Sequence, residues 1–382
     1  MRDQELEALL RELIAIPSVF PEEQTLSAWM ATHLRDSGFQ VEVLMTEGTR
    51  PNLIARNHTN SEAIGFYGHL DTVPADPTFS FDPLKMQIDG ERARGLGVAD
   101  MKGGNACILL AARWAASRGL PVTVVFGVDE EDYSRGAHDL CSSGKLHDLK
   151  FLVVAESGQI QDTSIPYSVG YGRKGRIGFS ATVRGKTSHA AVATSATNAI
   201  SQAAAFVSAV DRHSLPEHTV LGRARIVWHR IQAETDSFSA PGSCALELSA
   251  LTVPGFKSDD VERLLREIAH STGVELELFP RPRPTPAGNA YEIDRINPFL
   301  RELEAQVFLR DGVTPAYFTS VADENVFAHR LQIPVLTLGP VGMGEHSKDE
   351  WVSLLSLAET RKVYQELIER YSQFLRRESL NR

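Results

Sequence analysis

Cysteine is scarce in this chain, with three among 382 residues. Cys107, Cys141 and Cys244 lie far apart and show neither metal-ligand nor redox spacing. That excludes a disulfide framework and a thiolate metal cluster, and leaves reduced, mostly buried thiols, with a cytoplasmic location as the default. Long apolar runs are also missing. Nothing approaches the roughly 20 residues that a membrane-spanning helix needs. No block of one charge sign occurs, although the net charge is −10. A mildly acidic, mixed surface argues against a nucleic acid or a membrane as partner. Repeats and low-complexity tracts are absent. The first residues, MRDQELEALLRELIAI, read as a charged amphipathic helix and not as a signal peptide.

What is present is a hydrophobic fraction of 42% over a length that favours two domains. Helical apolar spacing appears from Leu9 to Ile16 and from Thr25 to Leu34. Three continuous apolar runs follow: AIGFYG at Ala63–Gly68, VTVVFGV at Val122–Val128 and FLVVAE at Phe151–Glu156. Runs of this length bounded by turn residues predict strands buried on both faces. A helix is expected from about Met101 to Arg118, ended by Gly119 and Pro121. Alternating strands and helices predict an α/β fold, with a mainly parallel sheet sandwiched by helices. The middle of the chain breaks that pattern. A half-exposed strand at Arg176–Gly185, a helix at Ala196–Val210, strands at Thr219–His229 and Cys244–Val253 and a helix at Asp259–His270 predict an inserted α+β domain. RPRPTPAGN (Arg281–Asn289) reads as a Pro-rich connector. A helix at Pro298–Leu309 and a strand at Pro334–Gly339 return to the α/β pattern. The expected organisation is a catalytic domain in two parts, 1–174 and 286–382, interrupted by an inserted domain at 175–285.

Four acidic or histidine signals share one expected location, the C-terminal end of a predicted strand, where open α/β sheets place their ligand sites. GHLDT carries His69 and Asp71; two apart in an extended segment, they face the same way. The imidazole is then available to a metal while the carboxylate holds its other ring nitrogen. GLGVADMKGG carries Asp100 at the mouth of a Gly-rich turn. VDEED carries Glu130 and Glu131 on opposite sides, so that one carboxylate is free to act as general base beside the other. VVAESG carries Glu156. His189 in GKTSHAA and His346 in GMGEHSKDEWV complete the set. Taken singly, these also suit a polar strand end, a helix cap, a solvated loop or a surface histidine. Together, His69, Asp100, Glu131, Glu156 and His346 form a nitrogen and oxygen donor set without cysteine, of the kind that suits zinc, cobalt or manganese in a hydrolytic site.

In order along the chain, GHLDTVP, GVADMKGG, DEED, AESG, GKTSHAA and GEHSKDEWV resemble the co-catalytic zinc aminoacylase and carboxypeptidase family, which includes acetylornithine deacetylase, succinyl-diaminopimelate desuccinylase and carboxypeptidase G. The resemblance implies a zinc-peptidase-like fold whose inserted domain serves as lid and dimerisation module. It implies two divalent ions, zinc or else cobalt or manganese. Asp100 would bridge them, with His69 and Glu156 completing one site and Glu131 and His346 the other. Asp71 would orient His69. Glu130 would be the general base that lets a metal-activated water attack an amide bond in an N-acyl amino acid or small peptide. His189 matches a lid histidine that in relatives reaches a neighbouring subunit's active site, so a homodimer is expected. Arg173, in GYGRKGRIGF, matches a substrate-facing arginine. The chain departs from the pattern in three places. Leu96 stands in GLG where relatives often carry arginine. Ser249 and Leu251 replace an Asp-x-Arg pair, and SFSAPGS stands where relatives show Asn-x-Ile-Pro. GYGRKGR and ADENVF resemble the branch with aminotripeptidases, which keeps an aminopeptidase-like activity open as the alternative, beside a non-catalytic metal-binding homologue.

Overall fold

A computed structural model describes residues 2–59, 62–195, 197–235, 238–280 and 288–380. Most of the Pro-rich connector expected at Arg281–Asn289 therefore lies outside the described residues. The chain divides into two compact units. One comprises Met1–Gly172, Ile293–Tyr317 and Ala322–Arg382; the other comprises Arg173–Glu292 and the short return Phe318–Val321.

In the first unit the apolar runs become the middle of a large mixed sheet. Strands Thr123–Gly127, Ala63–His69, Leu149–Val154 and Val335–Gly339 lie side by side in that order, all parallel. Each is buried along nearly its whole length. Residues with no polar face suit a strand covered by helices on both sides. Arg50–Arg56 pairs antiparallel with the outer edge of this group, and Gln40–Thr46 pairs antiparallel with Arg50–Arg56. Ser168–Arg173 pairs antiparallel with Val335–Gly339. Helices Gln4–Ala15, Gly103–Ser117 and Leu354–Leu380 bury their apolar stripes in one continuous core. Phe299, Phe151 and Tyr371 meet edge to face in it, with ring centroids 5.2 and 4.9 Å apart; burying such a ring contributes about 1.5–3 kcal/mol.

The helix expected from Met101 begins instead at Gly103. Asp100 (φ −120°, ψ 90°) and Met101 (φ −132°, ψ 36°) lack helical dihedrals, so Asp100 is not the helix cap. It belongs to an irregular turn that faces the strand ends. Gly104 lets the first turn of this helix touch the sheet: a Cβ there would lie 2.1 Å from the carbonyl oxygen of Ala155.

The second unit is a four-stranded antiparallel sheet in the order Arg225–Gln232, Ser243–Thr252, Gly175–Arg184, Glu275–Pro280. Helices Ala199–Arg212 and Ser258–Ser271 pack with it. The expected strand at Thr219–His229 is displaced toward Arg225–Gln232, with a short hairpin of Glu217–His218 and Gly222–Arg223 before it. Arg225–Gln232 lies at an edge of the sheet and leaves Val227 and Ile231 exposed.

Candidate metal centre

Three of the four parallel strands, Thr123–Gly127, Ala63–His69 and Leu149–Val154, end at one place. Adjacent strands are about 4.8 Å apart, so the residues following them are neighbours whatever their sequence separation. His69 ends the middle strand, Glu130 and Glu131 follow one neighbour, and Glu156 follows the other. Asp100 enters from the turn before helix Gly103–Ser117, and His346 from the loop between the short strands Val341–Met343 and Trp351–Ser353.

Asp100 stands at the centre. Its Oδ1 lies 2.8 Å from His69 Nε2, and its Oδ2 lies 3.2 Å from His346 Nε2. His69 Nε2 is also 3.5 Å from Glu156 Oε1, and His346 Nε2 is 2.8 Å from Glu131 Oε2. Two triads result, His69–Asp100–Glu156 and Asp100–Glu131–His346, each with donor atoms within 4.8 Å of one another. Asp100 belongs to both.

Asp71 reaches His69 differently from the expectation. The ring Nδ1 pairs with the Asp71 backbone carbonyl at 3.0 Å, while the carboxylate is 3.8 Å away. Asp71 Oδ2 instead accepts the backbone N–H of Glu131 at 2.9 Å, which ties the two strand ends together. Glu130 is 7% exposed, beside the cluster. Arg173 and His189 belong to the second unit. Arg173 is buried; it donates to Ser320 Oγ at 2.8 Å and its guanidinium lies 4.8 Å above the Phe318 ring. His189 is exposed, and its Nδ1 accepts the Ala191 N–H at 3.2 Å. Ser249, at one of the departures from the family pattern, pairs its hydroxyl with His229 Nε2 at 2.9 Å.

Several contributors have no motif to announce them. Asn105 donates to the His69 carbonyl at 2.7 Å, and Met101 Sδ accepts the His69 N–H at 3.1 Å. Both follow Asp100 on the same turn and helix, so the segment that brings one candidate ligand also fixes another. Tyr67 donates to Asp323 of ADENVF, and both are buried. Burial raises the Asp323 carboxyl to about 7 despite that hydrogen bond. Arg50, fully buried, joins Glu23 and Asp129, the residue just before Glu130.

Electrostatics test what the cluster is built to hold. Burial raises the Glu130 carboxyl well above the usual range, and the charges of Glu156 and Glu131 push it further. Burial and the charge of Asp100 raise both Glu131 and Glu156. Burial alone would lower His69, but hydrogen bonds that the ring donates to Asp100 and Glu156 outweigh it and hold the ring well above its ordinary value. Asp100 and Glu131 raise His346 to about 11. Acids that resist ionising and histidines that hold their protons describe one condition: buried negative charge without enough positive charge. Divalent cations would supply what is missing, and the histidine nitrogens and carboxylate oxygens of the two triads are donors that fit them.

An α/β sheet whose strand ends converge on a carboxylate-shared pair of His and acid triads defines a metallohydrolase architecture. The chain belongs to peptidase family M20/M25/M40, whose family model matches residues 65–370; this is a family of metal-dependent hydrolases of amide bonds. It is 28% identical over 341 residues to an acetylornithine deacetylase of Vibrio parahaemolyticus, covering 85% of each chain. It is 27% identical over 392 residues to a succinyl-diaminopimelate desuccinylase of Methylorubrum populi, covering 97% of this chain and 99% of the other. Among solved structures, a tripeptidase of Staphylococcus aureus superposes with a TM-score of 0.76 at 19% identity, covering 98% of this chain and all of that one. A dinuclear metal-binding peptidase of Bacillus subtilis gives 0.72 at 17%, covering 97% and 98%. At that identity the likeness is one of fold.

Proposed function

We propose that this chain hydrolyses the amide bond of an N-acyl amino acid or short peptide at a two-ion centre held by His69, Asp100, Glu131, Glu156 and His346. The observation that carries the reading is the double use of Asp100, whose two oxygens face histidines belonging to different triads. Zinc, cobalt and manganese all suit these donors. When bound, such cations supply Lewis acidity and a lowered water pKa.

The chain's own groups do the rest. Glu130, nearly buried and free of the two triads, takes the proton of the attacking water and returns it to the leaving amine. A carboxyl raised by its surroundings suits that shuttle better than one at the usual value. The Asp71 carbonyl fixes which nitrogen of His69 faces the centre. His189 is assigned to the oxyanion that develops on the attacked carbonyl, contributed across a homodimer formed through the second unit; losing such a donor costs about 2.7–4 kcal/mol of barrier. The exposed Val227 and Ile231 on an edge strand favour that surface, because open strand edges are otherwise blunted or covered. Arg173 is assigned to the substrate. The free thiols fit a cytoplasmic setting.

The deacetylase and desuccinylase relatives, each matched over most of its length, favour an N-acyl amino acid. The peptidase-like folds support the short-peptide alternative. A screen of N-acetyl, N-succinyl and N-formyl amino acids beside di- and tripeptides, with each of the three metals, separates them. In the same assay Glu130→Gln is expected to retain both ions and lose about 10²–10⁴-fold in turnover. A fully active variant would remove Glu130 from the mechanism.

A further inference from the structure

Glu350 is 2% exposed, yet it closes a loop in which His346, Lys348 and Asp349 are exposed. Its carboxylate is spent on backbone. Oε2 accepts the Gly97 N–H at 2.8 Å, and Oε1 accepts those of Ala99 at 2.8 Å and Asp100 at 3.1 Å. These donors come from the irregular turn that presents the shared aspartate. Backbone bonds from Lys102 to Gly97 and from Gly103 to Val98 close that turn, but Asp100 and Met101 depart from helical dihedrals and Gly97 is left-handed at φ 70°. Convergent N–H groups of this kind make a nest for an anion, and here the anion is a side chain of the protein.

The loop that supplies this side chain also supplies His346. It is tightly wound: Ser347 donates its N–H to the Gly344 carbonyl at 3.1 Å and its hydroxyl to the same oxygen at 2.8 Å. His346 itself has φ 62°, a sparsely populated region for a residue with a side chain. Such a conformation persists only where the surroundings impose it.

We propose that Glu350 is a positioning residue that clamps the loop carrying His346 onto the turn carrying Asp100, and so fixes the spacing of the Asp100–Glu131–His346 pocket. This rests on the two-ion reading above. The other triad depends less on the clamp, because His69 and Glu156 sit at the ends of buried, paired strands. Truncating the clamp therefore weakens one ion selectively. A role in general stability alone would weaken both or neither.

Glu350→Gln is the discriminating variant. It keeps the shape and one acceptor oxygen, but sets an amide N–H against a backbone N–H. Metal-free whole protein is titrated with Zn²⁺ against a competing chelator, and bound metal is counted at each free concentration. Wild type is expected to take up two ions. The variant is expected to bind the more weakly held ion on the order of 10–100-fold less tightly, the usual cost of losing a partner that supports a metal ligand, while the other stays within about threefold. Glu350→Asp, which keeps the charge on a shorter arm, is expected to fall between them and serves as the measurement if the amide does not fold. Both affinities unchanged, or both reduced alike, would overturn the clamp. A wild type that takes up fewer than two ions would instead refute the two-ion centre itself.

Discussion

Arg50 offers the sharpest test of how the fold supports the strand end that carries Glu130 and Glu131. It is 2% exposed, and its guanidinium joins Glu23 and Asp129, both fully buried. Arg50 Nε lies 3.0 Å from Glu23 Oε2, and a second nitrogen meets Oε1, so Glu23 is held by both oxygens. Asp129 keeps another partner in Arg135, at 2.7 Å; Glu23 has no other ion pair among the described residues. Arg50→Met therefore leaves chiefly one buried carboxylate uncompensated, and breaking a buried pair from one side costs about 3–5 kcal/mol. Burial already raises the Glu23 carboxyl above its ordinary value with Arg50 present, and removing the cation raises it further. A carboxyl raised in the folded state favours the fold when protonated, and that contribution is lost as pH rises through the folded pKa. The deficit of the variant relative to wild type should then be full at about pH 8 and shrink toward pH 5. Urea melts of both proteins across that range measure it. The double variant Glu23→Gln, Arg50→Met should recover part of the loss at pH 8, because the stranded charge is gone. A double variant no more stable than Arg50→Met, or a deficit independent of pH, would refute the reasoning.

Gly104→Ala places a methyl 2.1 Å from the Ala155 carbonyl, so helix Gly103–Ser117 must move off the sheet beside Glu156; a loss of about 1–3 kcal/mol in chemical denaturation is expected, together with weaker metal retention. Removing metal with a chelator should lower the melting temperature of wild type, since a ligand at 100 times its Kd contributes about 2.7 kcal/mol. Asp100→Asn should respond less to the same treatment, and an unchanged wild-type melt would argue against a resident ion.

The parts of this structure legible in the sequence are those whose signal is local. The buried parallel strands announce themselves as apolar runs, and three of the candidate ligands, His69, Glu131 and Glu156, stand where those runs stop. Strands Gln40–Thr46 and Arg50–Arg56 do not: the first is largely exposed, with one fully buried residue, and gives no clear period. The long helix Leu354–Leu380 does carry a readable stripe in Leu357, Tyr364, Leu367, Ile368 and Tyr371, all buried. Asp100 resembles a helix cap by position, and only the tertiary turn brings its two oxygens to two different histidines. Asp71 lies two residues from His69 as the motif requires, yet it uses its carbonyl on the ring and its carboxylate on Glu131, a distribution that side-chain alternation does not encode. Glu350 stands inside a recognisable motif, but its role depends on which backbone N–H groups lie within reach.

Those non-local contacts share a logic. A site for divalent cations must hold carboxylates close together before the cations arrive, against their mutual repulsion and the cost of burial. Strand ends hold His69 and Glu156 through the ladder of a buried sheet. Asp100, Glu131 and His346 sit on turns, which have no ladder, and each turn is tied down by another group: Asp71 on the Glu131 N–H, Arg50 and Arg135 on Asp129, Glu350 on the Asp100 turn. Three of these ties use a further buried or half-buried carboxylate, so the protein adds negative charge in order to organise negative charge. That arrangement is tolerable because N–H groups or arginines meet each added carboxylate: the Glu131 N–H at Asp71, Arg50 and Arg135 at Asp129, and the Gly97, Ala99 and Asp100 N–H groups at Glu350.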